Sequence, residues 1–153
     1  MKLEDIMDHN PTLLKSTDTI SLAAKFIMEH RYRNLPVVDE AGCYIGVFGV
    51  NCLLRLVLPK AALMDQGLEN VSFIHESVSD LHARLREVEN EPITLCVNTE
   101  VKTVTPDTPL IETLMLLYHS KKSIPVIEAE TCKLLGMISY WDVGKSILAS
   151  EVE

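Results

Sequence analysis

The strongest constraint on this chain is that much of it is written twice. Leu35-Pro36-Val37-Val38-Asp39 is echoed by Ile124-Pro125-Val126-Ile127-Glu128, and Asp18-Thr19 by Asp107-Thr108, both at a spacing of 89 residues. Two landmarks at one spacing fix one length for the segment between them, so the fold must be built from two similar units. Gly46 and Gly136 stand 90 apart, the extra residue falling after the proline strand, where a hairpin loop absorbs it. Each copy reads as strand, helix, strand, turn, strand, helix.

Composition narrows the function classes. The chain has 153 residues, 47% apolar and 24% charged, the balance of a soluble globular protein with one well-buried core or two small fused ones. No run approaches the roughly 18 apolar residues of a membrane span. The opening Met1-Lys2-Leu3-Glu4-Asp5 is charged at once, which predicts neither export nor anchoring and a cytoplasmic location. The cysteines at 43, 52, 96 and 132 form no Cys-x-x-Cys, so no zinc site is expected, and they read as reduced, buried thiols. A formal charge of −8 disfavours nucleic acid as a partner, because a phosphate backbone needs a basic surface.

In chain order, Leu3, Ile6 and Met7 predict an apolar helical turn, and Leu13 and Leu14 a brief strand. Thr19 caps a helix whose core face carries Leu22, Ala23, Phe26 and Ile27. His30-Arg31-Tyr32-Arg33-Asn34 is a basic cluster at the handover to the Pro36 strand. It either completes a helix C-terminus or faces an anionic ligand. Leu53, Leu54, Val57 and Leu58 form an apolar helical segment ended by Pro59. From Pro59 to Pro92 an insertion carries the stripe Val78, Leu81, Leu85 and Val88, with Ser77 or Ser79 as cap. His75 and His82 lie seven apart without a third ligand nearby, so no metal site is expected. The second copy begins near Ile93, with Lys102 to Thr105 as a strand, Thr108 as cap and Pro109 in the first helical position. The division is 1–58, 59–92 and 93–153.

The chemistry concentrates in Gly136-Met137-Ile138-Ser139-Tyr140-Trp141-Asp142, which reads as a strand turning into a helix, with Ser139 as N-cap and Asp142 in the first turn. The bland reading is a capping box. The sharper one is a nucleotide held at both ends, with hydroxyl and free N–H groups on a phosphate and the carboxylate accepting from a ribose diol.

The apolar-Pro-Val strand and the Gly-x-x-Ser/Thr-x-x-Asp ending resemble the marks of the cystathionine-β-synthase-type (CBS) domain, and two copies resemble its tandem pair, the Bateman module. The second copy carries both marks. The first has Gly49 in place of the hydroxyl and Cys52 in place of the carboxylate. The resemblance implies an α+β fold of two repeats, each a small mixed sheet with helices on one side, packed about a pseudo-twofold axis. Two clefts follow, each combining one copy's Ser/Thr-x-x-Asp helix with residues preceding the other copy's proline strand. Asp142 is then expected on ribose and Ser139 on phosphate. Arg31, Arg33 and Asn34 would reach the phosphate from the first copy, and Thr103, Val104, Thr105, Ile124, Pro125 and Val126 would surround the adenine.

The mirror cleft, with Cys52, Lys121 and Lys122, lacks a diol acceptor, so one competent site per chain is expected. The implied role is a regulatory sensor of an adenosine nucleotide (AMP, ADP or ATP), homodimeric through its helices and acting on a partner protein. S-adenosylmethionine as ligand and a ligand-free dimerisation module are the alternatives. No catalytic role is expected. Ser139, His119 and Asp142 lack a Gly-x-Ser-x-Gly elbow, and the sequence has neither a Gly-x-x-x-x-Gly-Lys-Ser/Thr loop nor a Gly-x-Gly-x-x-Gly.

Overall fold

The structure is a computed structural model describing residues 2–63 and 75–152, so that 64–74, in the middle of the insertion, lie outside the described residues. After a one-turn helix α1 (Leu3–Ile6), the first repeat runs β1 (Leu14–Lys15), α2 (Ile20–His30), β2 (Asn34–Val38), β3 (Tyr44–Gly49) and α3 (Val50–Val57). The insertion contributes a 3-10 turn, Lys60–Leu63, and α4 (Val78–Val88). A second 3-10 turn, Ile93–Leu95, opens the second repeat, followed by α5 (Leu110–Ser120), β4 (Ile124–Ile127), β5 (Leu134–Ile138) and α6 (Tyr140–Val152).

Both sheets are built on the proline strand. In the first, β2 lies between β1, parallel to it, and β3, antiparallel with Asn34 opposite Gly49 and Pro36 opposite Val47. In the second, β4 pairs with β5, Ile124 opposite Ile138 and Pro125 opposite Met137. A proline in an inner strand must not be asked for a ladder hydrogen bond. Val47 exchanges both of its backbone bonds with Asn98, at 3.0 and 2.8 Å, and Met137 exchanges both of its own with Asp8, at 3.0 and 2.8 Å. Each proline therefore faces a residue whose polar groups are already turned to the other side.

Those bonds also cross between repeats. The leader Leu3–Asp8 lies on the second sheet, and Leu3, Ile6 and Met7 are buried with Val104, Leu117, Ile124, Val126 and Ile138. The leader Ile93–Asn98 lies on the first sheet, with Ile93 and Cys96 buried among Leu14, Ile20, Ile27, Val37 and Phe48. The crossing demands glycine. A Cβ on Gly136 would fall on the Asp8 carbonyl oxygen, and one on Gly46, whose φ is +152°, would lie 2.6 Å from the Asn98 carbonyl oxygen.

Three local expectations are corrected. The strand expected over Lys102 to Thr105 shrinks to a single bridge, Val104 to Val126, because the Thr108 hydroxyl accepts from Thr105 N and turns the chain away. Thr108 is thereby spent on that turn, and α5 begins after Pro109 without a side-chain cap. Cys43 and Cys132 are not reduced thiols but form a disulfide across 89 residues, with Cα atoms 5.1 Å apart. The bond joins the two hairpin tips, where Tyr44 N donates to Cys132 O and Leu134 N to Gly42 O. Cys52 and Cys96 are free and buried.

Candidate functional site: a basic cleft between the repeats

Helices α2 and α5 end alike. Arg31 and Lys121 both adopt the left-handed conformation at φ 57°, their N–H groups closing the last turn on Ile27 O and Leu117 O. An αL residue other than glycine or asparagine is unfavourable in isolation. Here it reverses the chain so that Arg33 and Asn34, and on the other side Lys121 and Lys122, face one cavity of about 390 Å³. The first turn of α3, from Gly49 to Cys52, completes that cavity together with Asn98. None of its lining residues is acidic. In a protein of charge −8 this is a local collection of cations contributed by both repeats.

A second cavity, of about 620 Å³, shares Asn98, Ser120 and Lys122 with the first and continues along Glu100–Lys102 to Ile124. His119 and Leu116 of α5 form its far wall. The two cavities make one continuous cleft.

Ser139 and Asp142 line neither of these cavities; they follow the end of β5, where Ile138 stands opposite Ile124. Asp142 Oδ2 accepts from Ser139 N at 2.8 Å and from Ser139 Oγ at 2.9 Å, while Asp142 N lies 3.4 Å from Ser139 Oγ. This is a formed capping box with the carboxylate half-buried. Among the described residues both bonds from Ser139 go to Oδ2, and Oδ1 keeps its acceptor capacity.

The expected membership of the site changes in three respects. Arg33 and Asn34 do not reach across to Ser139 and Asp142. Antiparallel register sets Asn34 beside Gly49 of its own repeat, and the partners they meet from the second repeat are Lys121 and Lys122. Arg31 is an exposed helix C-cap, and His30 and Tyr32 stack on one another at 5.7 Å, so half of the basic cluster serves the helix end. Of the expected adenine walls only Ile124 lines the cleft. Val104, Pro125 and Val126 are buried in or beside the second core and Thr105 is held by Thr108, so the wall residues are Val101 and Lys102. Thr103 is half-buried and lines neither cavity.

Asn98, Lys102 and Ser120 escape the sequence reading because the leader that carries Asn98 packs on the other repeat. The available signal was Asp8, 90 residues earlier, at the same place in the first leader. The missing hydroxyl of the first copy also has a cause, since a Cβ at Gly49 would collide with the Arg33 carbonyl oxygen, which accepts from Val50 N at 2.9 Å.

Repeated sheets, exchanged leaders and a cleft between halves define a class, and comparison with known proteins supplies the family. The CBS domain model matches residues 3–59 and 85–149, and the chain belongs to the CBS domain family as a tandem pair. The structure is similar to that of CBSX2 in complex with AMP, with TM-score 0.69, 19% identity and 98% of each chain covered. It is similar to CBSX2 from Arabidopsis thaliana at TM-score 0.70 and 17% identity, covering 99% of this chain and 97% of that one. A Methanocaldococcus jannaschii protein proposed as an archaeal homologue of g-AMPK matches at TM-score 0.69 and 18% identity, covering 95% of this chain and 47% of that one. These likenesses show the fold.

Two enzymes are each 25% identical to this chain. They are the A-adding tRNA nucleotidyltransferase of Aquifex aeolicus over 148 residues, 96% of this chain, and the homoserine O-acetyltransferase of Methanococcoides burtonii over 144 residues, 94% of this chain. The chain spans only 14% and 23% of their lengths, and these likenesses show no activity for it. Among the described residues no helix is long and apolar enough to cross a membrane, and no group of three or more metal-ligating side chains forms.

Proposed function

We propose that this CBS pair is a regulatory module that binds an adenosine nucleotide in the cleft and reports it to a partner protein. The observation that carries the reading is the convergence of Arg33 with Lys121 and Lys122, one set from each repeat, on a cavity with no acidic lining. Phosphate would lie among these cations, in the cavity that also holds Cys52, and adenine along Val101, Lys102 and Ile124, while Asp142, outside both cavities, is the candidate ribose acceptor at the second helix mouth. Charge-assisted contacts contribute about 1.5–3 kcal/mol each. Two or three of them with a buried purine reach about −8 kcal/mol, a micromolar affinity. A ligand touching both halves favours one relative orientation of them, and shifts that equilibrium only by its differential affinity.

A homodimer through the helices is part of the proposal. Leu22, Met28 and Leu54 on α2 and α3, and Ile111, Met115, Ile147 and Leu148 on α5 and α6, are all exposed, and a groove lined by Met28, Leu53, Leu54 and Val57 has an apolar surface. Calorimetric titration with AMP, ADP and ATP tests the ligand. The expectation is one nucleotide per chain, because only the second helix mouth has a diol acceptor. Two per chain, or no heat with any of the three, contradicts it.

A further inference from the structure

The covalent bond between the repeats lies outside the cleft, and one of its ends is open to solvent. Cys132 is exposed and Cys43 is half-buried. Each cysteine is held by its own hairpin. Asp39 Oδ1 accepts from Ala41 N and from Cys43 N, both at 2.9 Å, and Glu128 O accepts from Cys132 N at 2.9 Å. Their Cα atoms, 5.1 Å apart, stand at the ordinary span of a disulfide. Between the tips themselves the backbone adds two hydrogen bonds, Tyr44 N to Cys132 O at 2.8 Å and Leu134 N to Gly42 O at 3.1 Å. The exchanged leaders tie the repeats together without these sulfurs, through Val47 with Asn98 and Met137 with Asp8. Loss of the disulfide therefore frees the tips while the fold persists.

We propose that Cys43–Cys132 is a reversible redox latch. A dithiol reductant opens it at Cys132, the hairpin tips part, and the repeats lose the restricted orientation that favours nucleotide binding. That last consequence rests on the nucleotide reading of the cleft; the opening of the tips does not.

Exposure assigns the point of attack. One thiolate of the dithiol attacks Cys132 Sγ, the Cys43–Cys132 bond breaks, and Cys43 leaves as a thiolate that takes up the proton the attacking thiol released. The second sulfur of the dithiol, once deprotonated, attacks the first, closing the reductant's own disulfide. Cys132 is expelled and takes up that second proton. The protein disulfide is reduced to two thiols and the dithiol is oxidised to a disulfide, two electrons passing between them. Because each hairpin keeps its own turn, the two thiols stay near one another and an oxidised dithiol can reverse the sequence. A ligand that touches both repeats binds at lower ordering cost when their orientation is already restricted. The oxidised protein is thus the tighter binder, and by reciprocity bound nucleotide makes the bond harder to reduce by the same factor.

The test uses the full chain, oxidised, with dithiothreitol as the dithiol near neutral pH and no denaturant. Alkylation and peptide mapping should show Cys43 and Cys132 becoming labelled together, and oxidised dithiothreitol should restore the bond. On reduction, the Tyr44 and Leu134 amides should exchange with solvent about tenfold or more faster, while those of Val47 and Met137 hold their rates. Calorimetry should find AMP bound about fivefold or more weakly by the reduced form. Cys132→Ser should match the reduced protein with or without dithiothreitol; should it fail to fold, the wild-type readings decide alone. A bond that resists dithiothreitol until denaturant is added, or equal Tyr44 and Leu134 exchange in both forms, overturns the latch. Equal AMP affinities overturn its link to the cleft. Absence of nucleotide binding in both forms counts against the ligand reading instead, and the exchange rates then decide the latch.

Discussion

Two Ser-x-x-Asp helix starts in this molecule share nearly the same geometry. At Ser77–Asp80 in the insertion, the carboxylate accepts from Ser77 N at 2.9 Å and from Ser77 Oγ at 3.0 Å. At Ser139–Asp142 the same two distances are 2.8 and 2.9 Å. The motif folds identically in both places, as a capping box. What differs is the setting, since Ser77 and Asp80 are exposed at the start of α4, whereas Ser139 and Asp142 are half-buried at the end of β5. A functional assignment at Asp142 therefore rests on its half-buried place in the second repeat, and Asp80 is its built-in control.

The largest expected effect comes from removing what holds the cleft's two walls together. Cys43→Ser severs the one disulfide among the described residues, at the hairpin tips, the opposite end of the strands from the cleft. A loop of this length predicts a loss of about 2–4 kcal/mol, read as a lower denaturant midpoint. With the walls free to separate, Asp142 should behave more like Asp80, and nucleotide affinity should fall as well.

Next come the cations that distinguish the settings. Arg33→Ala and Lys122→Ala should each weaken nucleotide binding about tenfold or more, through the loss of one charge-assisted contact. The two losses should be similar, since the residues stand at equivalent positions of the two repeats, 89 apart. Titration at two salt concentrations should show a shallower salt dependence in each variant.

A smaller effect tests what the two starts share. Ser77→Ala should cost about 1 kcal/mol of stability through loss of the cap, without touching ligand affinity. The smallest is a pH effect. Backbone and side-chain hydrogen bonds from Ser77 hold the Asp80 carboxyl below its usual range. A depressed carboxylate adds stability above its unfolded pKa of about 3.9 and loses it as pH falls through the lower folded value. The Asp80 carboxyl carbon shift, followed by NMR, should accordingly titrate below about pH 4.

Much of this was legible in the chain. The repeat placed both proline strands, the Ser-x-x-Asp spacing placed the box at Ser139, and Ser77, one of two candidate caps with Ser79, begins α4. Periodicity also placed Ala23 and Ile27 on the buried face of α2. Exchange of leaders was not legible, because an alignment of the two copies assigns Leu3 and Ile93 each to its own repeat, whereas the packing crosses them. That exchange hid Asn98 and moved the cleft wall from Thr103–Thr105 toward Val101 and Lys102. The disulfide was legible but unread, for Cys43 and Cys132 stand at the repeat's own spacing of 89 and three and four residues before their copies' glycines, Gly46 and Gly136. Membership of the basic cluster needed the backbone, since only the left-handed turn at Arg31 shows which side chains face the cleft.

The most direct test sets the two carboxylates side by side. Asp142→Asn and Asp80→Asn remove the same charge from near-identical caps, and both proteins are titrated calorimetrically with AMP against wild type. A loss of roughly 10–100-fold in Asp142→Asn with no change in Asp80→Asn is the predicted result. Equal affinities in both variants would contradict the account, leaving Asp142 a helix cap like its counterpart.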